Sequence, residues 1–93
     1  MSYVLIIHEV ADYAKSKDGF DRAADQRKMA GELNYQVLHF ETDGNKIVHY
    51  SQWVSTEKAK AFFESNEIQE LRSKLGVKQP EFIYLQELEK GVL

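Results

Sequence analysis

The sequence predicts an α+β fold in which four strands form one antiparallel sheet and helical segments cover one of its faces. The runs 3–7 and 82–85 are apolar at every position, which is typical of strands with two buried faces. The segment 12–30 has apolar residues at helical spacing. The segment 42–45, Thr-Asp-Gly-Asn, is a strong turn signal between two further strand-like runs.

The first strand is predicted at about 3–10 and leads into a helix at about 12–30. Asp12 is a suitable N-cap, because its carboxylate can accept a hydrogen bond from a free N–H of the first turn. Gly19 lies inside this helix and should weaken it by about 1 kcal/mol relative to alanine. Gly31 suits the left-handed residue that follows a helix C-terminus.

Two strands follow at about 35–41 and 46–53, and the turn between them pairs them as a hairpin. Ser55 is a suitable N-cap for a second helix that runs to about residue 75. Its apolar spacing slips near residues 65–66, so we expect a kink or two short helices there. Pro80 precedes a last strand at about 82–88, at a place where a strand tolerates proline.

The element order is therefore β-α-β-β-α-β, the split arrangement called ferredoxin-like. Right-handed crossovers place both helices on the same face of the sheet. The opposite face is also apolar, and a stable monomer rarely leaves so large an apolar face exposed. We therefore expect a homodimer in which two sheets pack face to face and curl towards a barrel.

Length and composition exclude several classes of function. The 93 residues suit one small domain, so residues 1–93 are predicted to form a single domain. The net charge of −3 argues against a nucleic-acid partner, and no apolar run approaches the ~20 residues of a membrane helix. The absence of cysteine excludes thiolate metal sites and cysteine nucleophiles, and it fits a cytoplasmic protein.

Three histidines are the candidate catalytic residues, because imidazole titrates near neutral pH. We rank them His49, His39 and His8. A three-residue loop at 43–45 would place His39 opposite His49, where the pair could share a proton or bind a metal. Strand histidines are also common as half-buried or solvent-facing residues. No metal site is predicted, since the chain has no His-x-His or His-x-x-x-His spacing.

Aromatic residues and one arginine are the candidate ligand-binding residues. Tyr50, Trp53 and Phe62 could hold a flat apolar ligand if they line the space between sheet and helices. The alternative is that they fill the core. Arg27 lies on or beside the apolar face of the first helix, where it could bind a substrate carboxylate or lie along the surface with its head in water.

The layout resembles the dimeric α/β-barrel superfamily, in the branch of the antibiotic biosynthesis monooxygenase-like (ABM-like) domains. The resemblance covers almost the whole chain and rests on turns, caps and core positions. These are residues 10–13, 27–31, 43–45, 53–55, Ala59, Phe62, 76–77 and Pro80. Many close relatives also carry a tryptophan in the first helix, where this chain has Ser16.

The resemblance implies several different activities, because members of the superfamily oxygenate polyketide aromatics without a cofactor, degrade haem, isomerise lactones or cyclise their substrates. The haem-degrading branch carries a tryptophan and a histidine on the second helix and an asparagine on the first strand. This chain has Phe62 and Arg72 at those helix positions, and its first strand has no asparagine. Haem degradation by that mechanism is therefore not expected.

We expect a small homodimer that binds a small hydrophobic or aromatic molecule between sheet and helices. If it is an enzyme, the resemblance favours cofactor-independent oxygenation, with a histidine as base or orienting group. The alternatives are a non-catalytic ligand-binding or stress/accessory module, and an isomerase or cyclase that uses the same pocket. The expected partners are a second copy and an aromatic ligand, with no cofactor.

Overall fold

The computed structural model describes residues 1–93, apart from the side chain of residue 79. It has the predicted ferredoxin-like α+β fold, with one antiparallel sheet in the order β2-β3-β1-β4. The strands are β1 (Ser2–Val10), β2 (Glu32–Phe40), β3 (Asp43–Trp53) and β4 (Val77–Gln86). The helices are α1 (Tyr13–Arg22), α2 (Ala24–Ala30), α3 (Thr56–Phe63) and α4 (Asn66–Lys74).

Both helical regions of the sequence are divided into two helices. The helix predicted at 12–30 is interrupted at Ala23, which ends α1 and precedes α2. The second helix is interrupted at Ser65, which confirms the expected break. Asp12, Ser55 and Ser65 each accept a hydrogen bond from a first-turn N–H and so fix the starts of α1, α3 and α4. Within the described chain, no helix has the length and apolar character needed to cross a membrane.

The β2–β3 hairpin has a register that differs from the predicted one. The turn lies at residues 41–42, and the pairing shifts immediately after it. His39 then pairs with Ile47, and His49 pairs with the residue of β2 that lies two positions before His39. The prediction that His39 lies opposite His49 is therefore wrong.

The cause of this shift is the segment 43–45, which we predicted to be the hairpin loop. It forms the start of β3 instead. The Asp43 carboxylate accepts a hydrogen bond from the N–H of Asn45 at 3.0 Å. This local bond holds the segment in a bulge, so the chain turns two residues earlier than its glycine suggests.

Strand alternation gives the sheet one face covered by helices and one open face. The core on the covered face consists of Val4, Ile6, Trp53, Ala59, Phe63 and Ile68. Trp53 is completely buried, and its indole N–H donates a hydrogen bond to the Ser51 hydroxyl at 2.8 Å. The open face carries side chains that are half-buried or exposed in the single chain, namely Tyr3, Leu5, Ile7, Val48, Tyr50, Ile83 and Leu85.

Candidate functional site

Two adjoining cavities lie between the helices and the covered face of the sheet. Their volumes are about 100 Å³ and about 160 Å³, and both are lined by His8, Ser16, Phe20 and His49. The smaller cavity is otherwise lined by apolar side chains and two arginines, Arg27 and Arg72. Ser16 lines both cavities, and its small side chain fills little of this space.

His49 lies on β3 at the border of the two cavities. Strand alternation points it towards the helices, and its side chain is only 6% exposed. Three aromatic rings meet the imidazole edge-on, those of Phe20, Tyr35 and Phe63, at centroid distances of 5.0, 6.1 and 6.4 Å. These contacts restrict the ring to one orientation against the sheet.

A buried ion pair lies beside His49. Arg27 Nε donates a hydrogen bond to Glu32 Oε1 at 2.9 Å, and both side chains are buried. Arg27 also donates to the Phe20 carbonyl, and its guanidinium carbon lies 3.6 Å from the centre of the Phe20 ring. Buried charges persist when they are paired and hydrogen-bonded, so each member of this pair depends on the other. The Arg27 guanidinium is therefore occupied within the protein.

Glu32 also connects the ion pair to His49. Its second carboxylate oxygen, Oε2, lies 3.3 Å from His49 Nε2. The two atoms are not aligned for a hydrogen bond, and among the described residues neither has another hydrogen-bond partner. We did not predict Glu32 as a site residue, because the sequence indicated a start of β2 at about residue 35. The strand begins at Glu32 itself, which pairs with Trp53.

His8 is the second imidazole at the cavities and lies on β1. Burial, with smaller electrostatic contributions from the neighbouring His49 and Arg72 side chains, lowers the pKa of His8 from 6.5 to about 4. His8 is therefore neutral at neutral pH. Its Nδ1 is buried and has no hydrogen-bond partner within the described part of the chain. A ligand hydroxyl or a water molecule could supply that partner.

Arg72 enters the smaller cavity from α4. Its Nη1 donates a hydrogen bond to the Phe63 carbonyl at 3.0 Å, and its guanidinium carbon lies 5.0 Å from the centre of the Phe82 ring. Burial lowers the pKa of Arg72, but guanidinium stays protonated at any physiological pH. Among the side chains that the structure describes, no carboxylate forms an ion pair with it.

The third histidine, His39, lies away from this site. It is exposed on β2, and its Nδ1 is 2.7 Å from the Phe40 carbonyl oxygen. The structure therefore brings two of the three candidate catalytic residues, His8 and His49, together around the cavities. The described side chains include no group of three or more His, Asp or Glu residues placed to hold a metal ion.

The candidate aromatic residues divide among three locations. Phe62 lines the smaller cavity, as the pocket interpretation requires. Trp53 packs against Phe62 and lies in the core, which was the alternative interpretation. Tyr50 is on the open face of the sheet, stacked on Tyr3 with ring centroids 5.4 Å apart. Neighbouring residues of a strand point to opposite faces of the sheet, so Tyr50 points away from the face that carries His49. It therefore lies outside the space between sheet and helices.

Comparison with protein families gives one match. The antibiotic biosynthesis monooxygenase family matches residues 16–74, which is more than half of the chain. The matched segment runs from α1 to the end of α4 and includes Glu32, His49 and Arg72. Comparison with curated protein sequences gives no significant match.

The fold is similar to solved structures of low sequence identity. SnoaB of Streptomyces nogalater, a cofactor-independent oxygenase, has a TM-score of 0.78 and 13% identity, over 96% of this chain and 94% of that one. A candidate antibiotic biosynthesis monooxygenase of Deinococcus radiodurans has a TM-score of 0.72 and 11% identity, over 100% and 98%. Rv0793 of Mycobacterium tuberculosis has a TM-score of 0.67 and 12% identity, over 99% and 100%. At these identities the similarity shows a shared fold.

Proposed function

Since this chain belongs to the antibiotic biosynthesis monooxygenase family, we propose that it binds a small flat aromatic molecule in the two cavities and oxygenates it without a cofactor. One observation carries the proposal: His8 and His49 line the same cavities, and the buried Nδ1 of His8 has no hydrogen-bond partner among the described residues. Unpaired buried polar atoms are rare and call for a specific explanation, which a ligand hydroxyl would supply. The shared fold with SnoaB supports chemistry without a cofactor.

The proposed substrate is an electron-rich hydroxyaromatic compound. His49 acts as the base that removes the hydroxyl proton, and the Glu32 carboxylate lies 3.3 Å from His49 Nε2, beside the ring that receives the proton. The resulting anion passes electrons to O₂ directly. A ring C–H bond and the O–O bond break, and one oxygen atom becomes bound to that ring carbon. The other oxygen leaves as water with the ring hydrogen and the hydroxyl proton, so the product is a quinone and the substrate supplies all four electrons that O₂ accepts. His8, which is neutral, orients the substrate oxygen through its buried Nδ1.

The proposed functional unit is a homodimer in which the open faces of two sheets pack together. In the single chain this face exposes large apolar side chains, including Leu38 at 46% and Leu85 at 38%. Apolar faces of this kind mark interaction surfaces. A second copy is the partner that the ferredoxin-like sheet accommodates directly, because two such faces can close into a barrel. A cytoplasmic location, expected from the lack of cysteine, belongs to the same proposal.

A non-catalytic ligand-binding or accessory module is the second candidate function. The observation that favours it is cavity size, because about 100 and about 160 Å³ are small beside the roughly 300–1,000 Å³ of common ligand sites. Cavities of this size could hold a small molecule but leave no room for O₂ beside it. An isomerase or cyclase would use the same cavities with another substrate.

A thermal-shift screen with naphthols and related hydroxyaromatics tests the proposal. At tenfold excess over Kd, a true ligand should raise Tm by about 5–10 °C. The shift should disappear in His49→Ala and persist in His39→Ala, which removes an exposed histidine. Oxygen uptake with the stabilising compound, lost in His49→Ala, supports the oxygenase, whereas binding without uptake supports the module. Stabilisation by none of the compounds would overturn both.

A further inference from the structure

We propose that the ligand of these cavities carries an anionic oxygen, as in a carboxylate, and that Arg72 binds it at the α4 side of the smaller cavity. The inference rests on the proposed function and names the class of ligand more closely. The ligand has a flat apolar body and one acidic group.

The smaller cavity contains two guanidinium groups in different electrostatic situations. Arg27 is neutralised by Glu32 at 2.9 Å, and both are buried. Arg72 takes part in no ion pair among the described side chains. The cavity wall therefore holds one positive charge without a counter-ion. An unpaired cation beside apolar walls attracts an anion more strongly than it would in water, because the effective dielectric constant is lower.

The Arg72 guanidinium is already positioned towards such a ligand. The hydrogen bond from Nη1 to the Phe63 carbonyl and the Phe82 ring 5.0 Å away hold it at the cavity wall. Guanidinium has five N–H donors, and this bond uses one of them. A carboxylate can accept two parallel N–H bonds from the remaining donors. Because the group is held before the ligand arrives, binding costs less conformational entropy.

The other groups around the cavity leave this charge uncompensated. His8 is neutral at neutral pH, so it neither repels a carboxylate nor competes with it for Arg72. The remaining lining side chains, from β1, α1, α3, α4 and β4, are mostly apolar. A neutral aromatic ligand would thus leave Arg72 unpaired, whereas an aromatic acid would satisfy the apolar wall and the cation together.

The test compares 2-naphthoate with 2-naphthamide, which have nearly the same shape and differ in charge. By isothermal titration calorimetry at pH 7, the protein should bind 2-naphthoate about tenfold more tightly. Arg72→Gln should abolish this preference by weakening 2-naphthoate about tenfold, and Arg72→Lys should retain part of it. Lys74→Gln removes an exposed cation from the same helix and should leave both affinities unchanged.

The ratio of the two affinities within each variant is the decisive readout. Arg72→Gln also loses a hydrogen bond to the Phe63 carbonyl, and general destabilisation would weaken both probes together. Equal binding of the two probes, or a preference that survives in Arg72→Gln, would overturn the inference and leave the proposed function standing. Binding of neither probe would also overturn the inference, whereas the proposed function fails only when no hydroxyaromatic compound stabilises the protein.

Discussion

Glu32 Oε2 lies 3.3 Å from His49 Nε2, while Glu32 Oε1 accepts a hydrogen bond from Arg27 Nε at 2.9 Å. One buried carboxylate thus contacts both a structural cation and the candidate base. The same carboxylate therefore links the ion pair in the core to the imidazole at the cavities. Stability and proton transfer are therefore coupled through Glu32, and variants of this group should affect both.

Removal of Glu32 should be strongly destabilising. Glu32→Ala leaves the Arg27 charge buried without its counter-ion, which should lower the free energy of unfolding by about 3–5 kcal/mol. Urea denaturation measures the loss. Glu89→Ala, which removes an exposed carboxylate, should change stability by less than about 0.5 kcal/mol. The double variant Arg27→Met/Glu32→Leu should be more stable than Glu32→Ala, and a double variant less stable than that single one would contradict this account.

His8 should make the protein less stable in mild acid. Its pKa is about 4 in the folded protein and about 6.5 when unfolded, so the unfolded state binds more protons between these values. Above pH 6.5, His8 is neutral in both states and does not lower the free energy of unfolding. As the pH falls from 6.5 towards 4, the free energy of unfolding decreases. The total loss should be roughly 2–3 kcal/mol, discounted for partial exposure to solvent.

Urea unfolding at several pH values between 7 and 4.5 measures this effect. His8→Gln should make stability depend less steeply on pH over this window. His39→Gln removes an exposed histidine and should retain the slope of the unaltered protein. Identical slopes in His8→Gln and the unaltered protein would show that His8 is not held neutral by burial.

Gly31 should be intolerant of a side chain. Its φ is 120°, and an added Cβ would lie 2.7 Å from Val54 Cγ2. Backbone strain and this clash should make Gly31→Ala less stable by about 1–3 kcal/mol. Gly44→Ala is the matched control, since an added Cβ there meets nothing within 4 Å among the described atoms. The melting temperatures of the two variants, measured by thermal unfolding, should be lower for Gly31→Ala than for Gly44→Ala. Equal melting temperatures would refute the expectation.

The open sheet face should control assembly. Ile7→Asp places a charge on this face and should give a folded monomer by sedimentation equilibrium and circular dichroism. Val4→Asp places a charge in the completely buried core on the other face and should prevent folding. An unaltered protein that sediments as a 10.8 kDa monomer at micromolar concentration would contradict the proposed dimer.

Local sequence signals were sufficient for most of the fold. Asp12 and Ser55 cap helices where their side chains predicted them, and the slip in apolar spacing marked the break at Ser65. These features depend on neighbours within one or two turns. The break at Ala23 had no comparable signal, because alanine favours a helix interior.

The site was only partly predictable, because it depends on pairing between distant strands. The sequence placed His8 and His49 on strands, and the structure shows that both line the cavities. The position of His39 depended on a bulge that the turn signal does not specify. Glu32 escaped prediction because β2 extends three residues beyond its apolar run, and its burial comes from pairing with Trp53 and from Arg27.

The histidine side-chain NMR spectrum tests the central claim most directly, since the chain has only three histidines. In ¹⁵N-labelled protein saturated with 2-naphthoate, the ring nitrogen resonances of His8 and His49 should shift, because both imidazoles line the same cavities. Those of His39, exposed on β2, should stay in place. Unchanged His8 and His49 resonances at saturation, or a shift of His39 alone, would contradict a binding site between the sheet and the helices.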